Sequence, residues 1–375
     1  MTRITSVTLG LVAATCVAVG AQSLAPAPPR RADEGRGPFK ALVLRGAILI
    51  DGTGAPPVGP VDIVVENNRI RAIQSAGTPN VPLRANRDPQ KPDLEIDATG
   101  MYVLPGFVSL HEHAGEAPKN PDIEYPFKLW LAHGITTVVG VPLTTHALTV
   151  KERERSNRNE IVAPRIVNFQ RAGMGWDKGP VTDPDSALAW VEWAAANGVE
   201  GIKFGAHPPE IMKALLNSAR ERKLGSTAHL QQTGVAQMNA LDAARLGLRT
   251  VTHFYGHFEA LLRDHVVQPW PVDQINDDEQ MRFGQVARLW DKIHTPGGPE
   301  WVAYLQEHRK LGTVFDPTMT AYAAGRDVMR MRNADWHAKY TLRASSGRAC
   351  SPIWSSSIRT RCATSRCSTA PAQSG

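Results

Sequence analysis

Two histidines separated by one residue end an apolar stretch that runs from Val103 to His113. Successive side chains of a strand alternate between its two faces, so His111 and His113 are expected to point the same way and Glu112 the other way. Two neutral imidazoles side by side can bind one transition-metal ion, at about 2.0–2.1 Å for zinc. A pair of histidines in a fraying loop is the alternative interpretation.

Further side chains of suitable chemistry stand at the ends of later predicted strands. Lys203 is near the end of the fourth predicted strand, and His229 and His253 end the fifth and the sixth. A metal-dependent α/β barrel takes its ligands from the carboxyl ends of several strands. Any one histidine could occupy such a position by chance, but three consecutive strand ends favour a shared metal site.

Lys203 is the unusual member of this set. Both desolvation and a nearby divalent metal would disfavour its ammonium form, and a depressed pKa would leave a neutral amine able to take up carbon dioxide as a carbamate. A lysine that extends to solvent at the rim is the alternative. His207 and His257 each lie four residues past a candidate ligand, where loops that contact substrate would begin, and with Tyr255 they are the candidates for substrate binding.

These residues lie in a chain that alternates predicted strands and helices from Val103 onward. Such repeats indicate a parallel sheet and, most economically, an α/β barrel of the (β/α)8 type, here with about seven strands. The predicted strands are 103–113, 134–141, 164–170, 199–204, 225–229, 249–253 and 312–316, and the predicted helices lie at 183–198, 209–223 and 235–246 and within 278–311. Short predicted strands between residues 41 and 102, with Asn67-Asn68 at a hairpin turn, form a smaller β unit before the barrel.

The two ends of the chain differ in composition from its body. Residues 1–21 have the pattern of a secretory signal peptide, with Arg3 before a short apolar run and Val19-Gly20-Ala21 before a cleavage site; a membrane anchor is the alternative. Residues 22–40 are rich in proline and predict a flexible leader. Residues 343–375 contain five Arg, nine Ser and three Cys but no Asp, Glu or Lys, which indicates a disordered tail or one that was never part of the fold, such as the product of a reading-frame error.

Charge and cysteine content exclude some classes of function. The net charge is +6, but one positive charge lies in the predicted signal and five in the tail, so residues 22–342 are balanced. That balance gives no electrostatic footprint for nucleic acid. The same body contains no cysteine, which excludes both a disulfide framework and a thiolate metal site there.

Three sequence motifs resemble those of the metal-dependent amidohydrolase superfamily. They are Ile-Leu-Ile-Asp-Gly-Thr-Gly at 48–54, Ile-Asp-Ala-Thr-Gly at 96–100 and Leu-Pro-Gly-Phe-Val-Ser-Leu-His-Glu-His at 104–113, and the similarity runs from about residue 41 to 342. The resemblance implies a distorted barrel (103–342) beside a small β-sandwich whose N-terminal portion is 41–102. It also implies two divalent ions, Zn²⁺ or alternatively Mn²⁺, held by His111, His113, His229 and His253, with Lys203 as a carbamylated bridging ligand.

Lys203 resembles the bridging lysine of the two-metal branch that contains prolidase-like dipeptidases. Mononuclear deaminases usually carry an acidic residue soon after the fifth-strand histidine, where this chain has Leu230-Gln231-Gln232. Two departures from the pattern stand out. Ser109 replaces a common Asp, and the eighth-strand Asp, a metal ligand and general base in the family, has no counterpart, because Asp316 belongs to the seventh strand in a context that looks structural.

The expected activity is hydrolysis of a C–N bond in a small amide, dipeptide or cyclic imide through a metal-bridging hydroxide. Loss of the general base would cost about 10²-fold or more in rate. The alternative is therefore a truncated, inactive remnant that binds a metal or ligand. The expected location is the periplasm or the extracellular space, without stable membrane insertion after signal cleavage. The partners are a small-molecule or dipeptide substrate and no nucleic acid, and self-association into a homo-oligomer stays open.

Overall fold

A computed structural model of the chain describes residues 24–319, except for residues 90, 115–121, 141, 142, 144, 232, 266, 276 and 277. The predicted signal peptide (1–21) and the C-terminal tail (343–375) lie outside the described residues, as does the last part of the predicted barrel. Within the part that is described, no helix combines the length and the apolar character needed to cross a membrane.

The N-terminal part forms one mixed five-stranded sheet. Its strands are β1 (Ala41–Leu49), β2 (Val58–Glu66), β3 (Arg69–Ser75), β4 (Leu94–Asp97) and β5 (Tyr102–Val103). β1 is central: it pairs antiparallel with β2 and parallel with β4 and β5, and β3 pairs antiparallel with β2. Asn67 and Asn68 make the predicted hairpin turn, with φ of 45° and 71° in the left-handed region that Asn tolerates.

The remaining elements alternate strands and helices as predicted. The strands are β6 (Phe107–Glu112), β7 (Ile135–Gly140), β8 (Arg165–Ile166), β9 (Phe169–Arg171), β10 (Gly201–Phe204), β11 (Gly225–Ala228), β12 (Thr250–Thr252) and β13 (Val314–Asp316). The helices are α1 (Glu124–Ala132), α2 (His146–Asn157), α3 (Pro184–Ala196), α4 (Pro209–Glu221), α5 (Ala240–Arg245), α6 (Glu279–Arg288) and α7 (Pro299–Leu311).

These eight strands form two parallel sheets, β6-β7-β8 and β9-β10-β11-β12-β13. The single strand predicted over 164–170 is therefore divided. Val167 donates its N–H to Val138 of the first sheet, whereas the carbonyl of the next residue, Asn168, accepts from Glu200 beside the second sheet. The fold is thus a mixed α/β structure with parallel sheets, and closure into a barrel stays a prediction.

Helices α3 and α4 cover the larger parallel sheet because each carries one apolar stripe. The sequence starts α3 with an Asp183–Ser186 capping box and Pro184 in the first turn. On α4 the apolar positions recur at helical spacing, and the stripe is buried against the sheet. The largest buried side chains of this core are Trp190, Tyr255, Phe204, Ile202, Met212, Leu215 and Leu248.

Three expectations about local structure need correction. The strand predicted from Val103 begins at Phe107, since Val103 pairs with β1 and Pro105 has no N–H for a ladder. The helix predicted over 235–246 begins only at Ala240, because Asn239 caps it and the residues before it form turns. Residues 24–34 do not form an unpacked leader: Leu24 and Ala27 are buried in a core with α1, and Ala27 donates its N–H to Glu152 at 3.0 Å.

Candidate active site

The five residues proposed as metal ligands lie together at the carboxyl ends of four parallel strands. His111 is near the end of β6, with His113 just beyond it; Lys203 is in β10; and His229 and His253 directly follow β11 and β12. The imidazole centroids are separated by 5.1 Å for His113 and His111, 4.9 Å for His111 and His253, and 4.5 Å for His253 and His229. The carboxyl ends of β10, β11 and β12 share one edge of the larger parallel sheet, and the end of β6, from the smaller parallel sheet, lies beside that edge.

The shortest distances within this cluster join nitrogen atoms. The Nε2 atoms of His111 and His113 lie 3.1 Å apart. The Nζ of Lys203 lies 3.0 Å from Nε2 and 3.2 Å from Nδ1 of His111. Lys203 thus faces an imidazole rather than solvent, and only 4% of its surface is exposed. The rim position considered as the alternative for this lysine does not describe it.

The strand that carries Lys203 is tightly packed. All four residues of β10 are buried, and the strand pairs with β9 through Arg171 and with β11 through Thr227. Gly201 is required where the sheet meets Phe169, since a Cβ there would lie 2.2 Å from the aromatic ring. Lys203 is therefore held on a strand with little room to adjust.

Burial keeps His111, His229 and His253 uncharged. It is the largest cause that lowers the pKa of His111 to about 2, of His229 to about 3 and of His253 to about 4, with smaller contributions from neighbouring positive groups. Burial, followed by the charge of Arg171, lowers the pKa of Lys203 to about 7. Near neutral pH the site therefore offers three neutral imidazoles and an amine that is partly deprotonated.

The three substrate-binding candidates occupy different surroundings. Tyr255 is only 1% exposed, and its ring stacks on that of His229 with a centroid distance of 4.9 Å. The Nδ1 of His257 lies 2.5 Å from the hydroxyl of Tyr304 on α7, and its ring packs against Phe315. His207 is half-buried just after β10, and burial lowers its pKa. The structure thus joins Tyr255 to the ligand cluster and His257 to α7 and β13.

Two residues that follow or end β13 were not singled out as site residues from the sequence. The Oδ2 of Asp316 is buried and has no hydrogen-bond partner among the described residues. Burial raises the pKa of Asp316, and a hydrogen bond from the backbone of Thr318 and the charge of Lys203 oppose that rise. A purely structural carboxylate would normally have its buried oxygen bonded. Thr318 places its Oγ1 2.6 Å from Nδ1 of His253. The position of both residues at the end of a predicted strand is the sequence feature that could have identified them as site residues.

Glu112, expected to point away from the histidine pair, hydrogen-bonds with Ser109 and with Trp130 of α1. Burial raises its pKa, and the charge of Asp316 adds to the rise. Ser109 stands where the resembled family commonly has Asp, and its observed contact is with Glu112 on the same strand, β6.

The donor set fits a transition metal in its chemistry. Two nitrogen ligands on one tetrahedral zinc ion, each at about 2.0–2.1 Å, lie about 3.3 Å apart. The Nε2 separation of 3.1 Å in His111 and His113 is close to that value. As the side chains stand, no group of three or more His, Cys, Asp or Glu residues in the described part of the chain could hold a metal ion. The other two imidazoles follow at centroid distances of 4.9 Å for His111 and His253 and 4.5 Å for His253 and His229.

Comparison with known proteins gave one curated relative and several solved structures. No protein-family model matches the chain. The dihydroorotase of Elusimicrobium minutum (strain Pei191) is 25% identical over 202 residues, which are 52% of this chain and 44% of the relative. The chain thus aligns with less than half the length of the curated relative.

Among solved structures, a Xaa-Pro dipeptidase with bound methionine in the active site has a TM-score of 0.49 and 17% identity, covering 76% of this chain and 69% of the other. A putative prolidase from Bifidobacterium longum has a TM-score of 0.49 and 18% identity over 78% of each chain. Molinate hydrolase has a TM-score of 0.47 and 16% identity, covering 74% and 72%. Scores and identities this low carry no argument about function.

The dihydroorotase match is a second observation beside the motifs at 48–54, 96–100 and 104–113 and the strand-end positions of the four histidines and Lys203. The dihydroorotase relative and these motifs support assignment of the chain to the metal-dependent amidohydrolase superfamily.

Proposed function

We propose that the protein is a metal-dependent hydrolase that cleaves a C–N bond in a small amide, dipeptide or cyclic imide. The observation that carries the proposal is the convergence of four histidines and the buried Lys203 at the carboxyl ends of parallel strands. The dihydroorotase relative supports this class of reaction, and Lys203 supports the branch of prolidase-like dipeptidases. Because the chain aligns with 44% of that relative, the activity of the whole protein is part of the proposal.

In this proposal His111, His113, His229 and His253 hold two divalent ions, Zn²⁺ or alternatively Mn²⁺, and Lys203 bridges them as a carbamate. When bound, the ions would supply a water of lowered pKa and a polarised scissile carbonyl. Carbamate formation needs an unprotonated amine, whose nitrogen bonds to carbon dioxide and releases a proton. A pKa of about 7 for Lys203 makes that form abundant at neutral pH.

The residues around the ligands have orienting roles in the proposal. Tyr255 stacks on His229 and so fixes the plane of that imidazole. The partial burial of the cluster would strengthen electrostatic interactions with a bound substrate relative to those in bulk water. His207 is half-buried in the loop that follows β10, the strand of Lys203, and is a substrate-binding candidate.

A second function, an inactive metal- or ligand-binding remnant, is favoured by one observation. None of the described strands carries a counterpart of the eighth-strand Asp that would accept a proton from the water and pass it to the leaving amine. Without that group the rate would fall by about 10²-fold or more. Metal binding and catalysis must therefore be measured separately.

The experiment that separates the two functions uses the full chain. Bound metal is measured after loading with Zn²⁺ or Mn²⁺, and hydrolysis is assayed on dipeptides, N-acyl amino acids and cyclic imides. Two metals per chain with turnover that disappears in Lys203→Ala support the enzyme. The matched control is Lys213→Ala, which removes an exposed lysine on α4 and is expected to change neither quantity. Metal binding without turnover on any substrate supports the remnant, and a folded chain with neither contradicts both.

We also propose export to the periplasm or the extracellular space. The support is the pattern of residues 1–21, with Arg3 before the apolar run and small residues ending at Ala21. N-terminal sequencing of the protein recovered from an exporting host is expected to start at Gln22. An uncleaved N-terminus in the cytosolic fraction would contradict the proposal.

A further inference from the structure

The ends of β12 and β13 lie side by side in an unusual backbone conformation. Thr252 pairs with Asp316 in the parallel register, and the next residue, His253, donates its N–H to the carbonyl of Asp316 at 2.8 Å. His253 and Thr318 both have positive φ, 67° and 50°. A β-branched residue in the left-handed region is a clear outlier, and such strain persists where surrounding interactions fix it, most often at functional sites.

The contact that accompanies this conformation is a short hydrogen bond between side chains. The Oγ1 of Thr318 lies 2.6 Å from Nδ1 of His253. A hydroxyl can donate or accept, so the contact permits two tautomers of the imidazole. If Nδ1–H donates to Oγ1, the lone pair of Nε2 is available for a metal. If the hydroxyl donates to Nδ1, Nε2 carries the proton and cannot be a ligand.

A metal-binding histidine commonly donates its other ring N–H to an oxygen acceptor, which fixes both the tautomer and the ring orientation. We propose that Thr318 is a positioning residue that accepts the Nδ1–H of His253 and thereby directs Nε2 of His253 to the metal site. The inference rests on the proposed metal-dependent function, and it assigns to the segment after β13 a role that its Asp-Pro-Thr sequence alone did not suggest.

A merely structural role for Thr318 makes different expectations. If the chain needed only the left-handed bend after β13, glycine would adopt it without steric cost. Thr318→Gly therefore removes the hydroxyl and also removes the backbone strain of a β-branched residue at positive φ. Under the proposal the metal-free protein keeps or gains thermal stability while metal binding weakens. Under a structural role the affinity for metal stays the same.

The test compares the wild type with Thr318→Gly and Thr318→Ser in the full chain. Zn²⁺ affinity is measured by competition with a chromophoric chelator, and ¹⁵N NMR of the metal-free protein reports the tautomer of His253. We expect Thr318→Gly to lose about 10- to 100-fold in affinity and to lower the Nδ1–H population, whereas Thr318→Ser, which keeps the hydroxyl, stays within about threefold.

The outcomes separate this inference from the proposed function. A wild type that binds no Zn²⁺ overturns both. A wild type that binds Zn²⁺ while Thr318→Gly binds it equally well overturns only the positioning role. A Thr318→Ser variant as weak as Thr318→Gly also overturns it, because the hydroxyl would then not be the group that matters.

Discussion

Replacement of Lys203 by methionine should make the metal-free protein more stable while abolishing the proposed bridging ligand. Lys203 is 4% exposed within the fully buried strand β10, and burial is the largest cause that lowers its pKa from 10.5 to about 7. Folding the wild type at neutral pH therefore requires the amine either to lose its proton or to stay charged in an apolar place. Methionine has similar length and no charge.

The magnitude follows from the two pKa values. They differ by about 3.5, and one pKa unit corresponds to about 1.4 kcal/mol. At pH 7 half of the buried amine is neutral, so the cost of folding removed by the substitution is about 4 kcal/mol. At pH 9 the pH is only about 1.5 units below the pKa of the unfolded amine, and the cost of folding falls to about 2 kcal/mol. Between pH 7 and 10.5 the unfolded chain binds more protons at Lys203 than the folded chain does, so the stability of the wild type rises with pH. Methionine at this position does not titrate, so it adds no pH dependence to the stability of the variant.

The assay is urea unfolding of chelator-treated protein at pH 7 and pH 9, followed by tryptophan fluorescence in carbon dioxide-free buffer. Lys203→Met is expected to have the higher midpoint at both values of pH, with the larger difference at pH 7. The exposed control Lys213→Met should lie within about 0.5 kcal/mol of the wild type. A Lys203→Met variant that is no more stable than the wild type at pH 7 would show that the folded structure compensates the buried amine, and the reasoning from burial would be refuted.

Three further predictions concern the site and its support. Burial lowers the pKa of His229 to about 3 and of His253 to about 4. Because the unfolded imidazoles take up protons below about pH 6.5, the metal-free protein should lose up to about 1.4 kcal/mol of stability per pH unit for each histidine as the pH falls. Equal urea midpoints at pH 7.5 and 5 would contradict this prediction. Trp190→Ala should cost about 3–5 kcal/mol of unfolding free energy in urea titration, because the side chain is fully buried in the core beneath α3, and a loss below about 1 kcal/mol would be inconsistent with that packing. Gly201→Ala should cost about 1–3 kcal/mol and weaken Zn²⁺ binding, since its methyl group would meet the ring of Phe169; unchanged melting and binding would count against the tight packing of β10.

The register of the candidate site was accessible from the sequence because it depends on local patterns. Each apolar run ends where a polar side chain begins, and parallel strands place those ends at one edge. The positions of His111, Lys203, His229 and His253 could therefore be assigned to strand ends without knowing which strands are neighbours. The same local information gave the Asn67-Asn68 turn, whose left-handed backbone needs residues of that type.

Contacts between distant segments could not be predicted in this way. Thr318 and His253 are 65 positions apart in the sequence, and no local sequence pattern around either residue predicts their contact. The hydrogen bond from the N–H of Ala27 to Glu152 joins the predicted leader to α2 across 125 positions, so composition alone suggested a flexible segment there. The division of the third predicted strand likewise depends on which sheet each backbone group meets.

The most direct test of the account is the number of metal ions held by the purified full chain. After loading with Zn²⁺ and removal of free metal, mass spectrometry of the metal content should give two ions per folded chain. Alanine variants of His111 and His229, placed on different strands of the cluster, should each hold fewer ions while keeping the wild-type circular dichroism spectrum. A wild type that is folded and holds no zinc or manganese would contradict the central claim that these strand ends form a metal site.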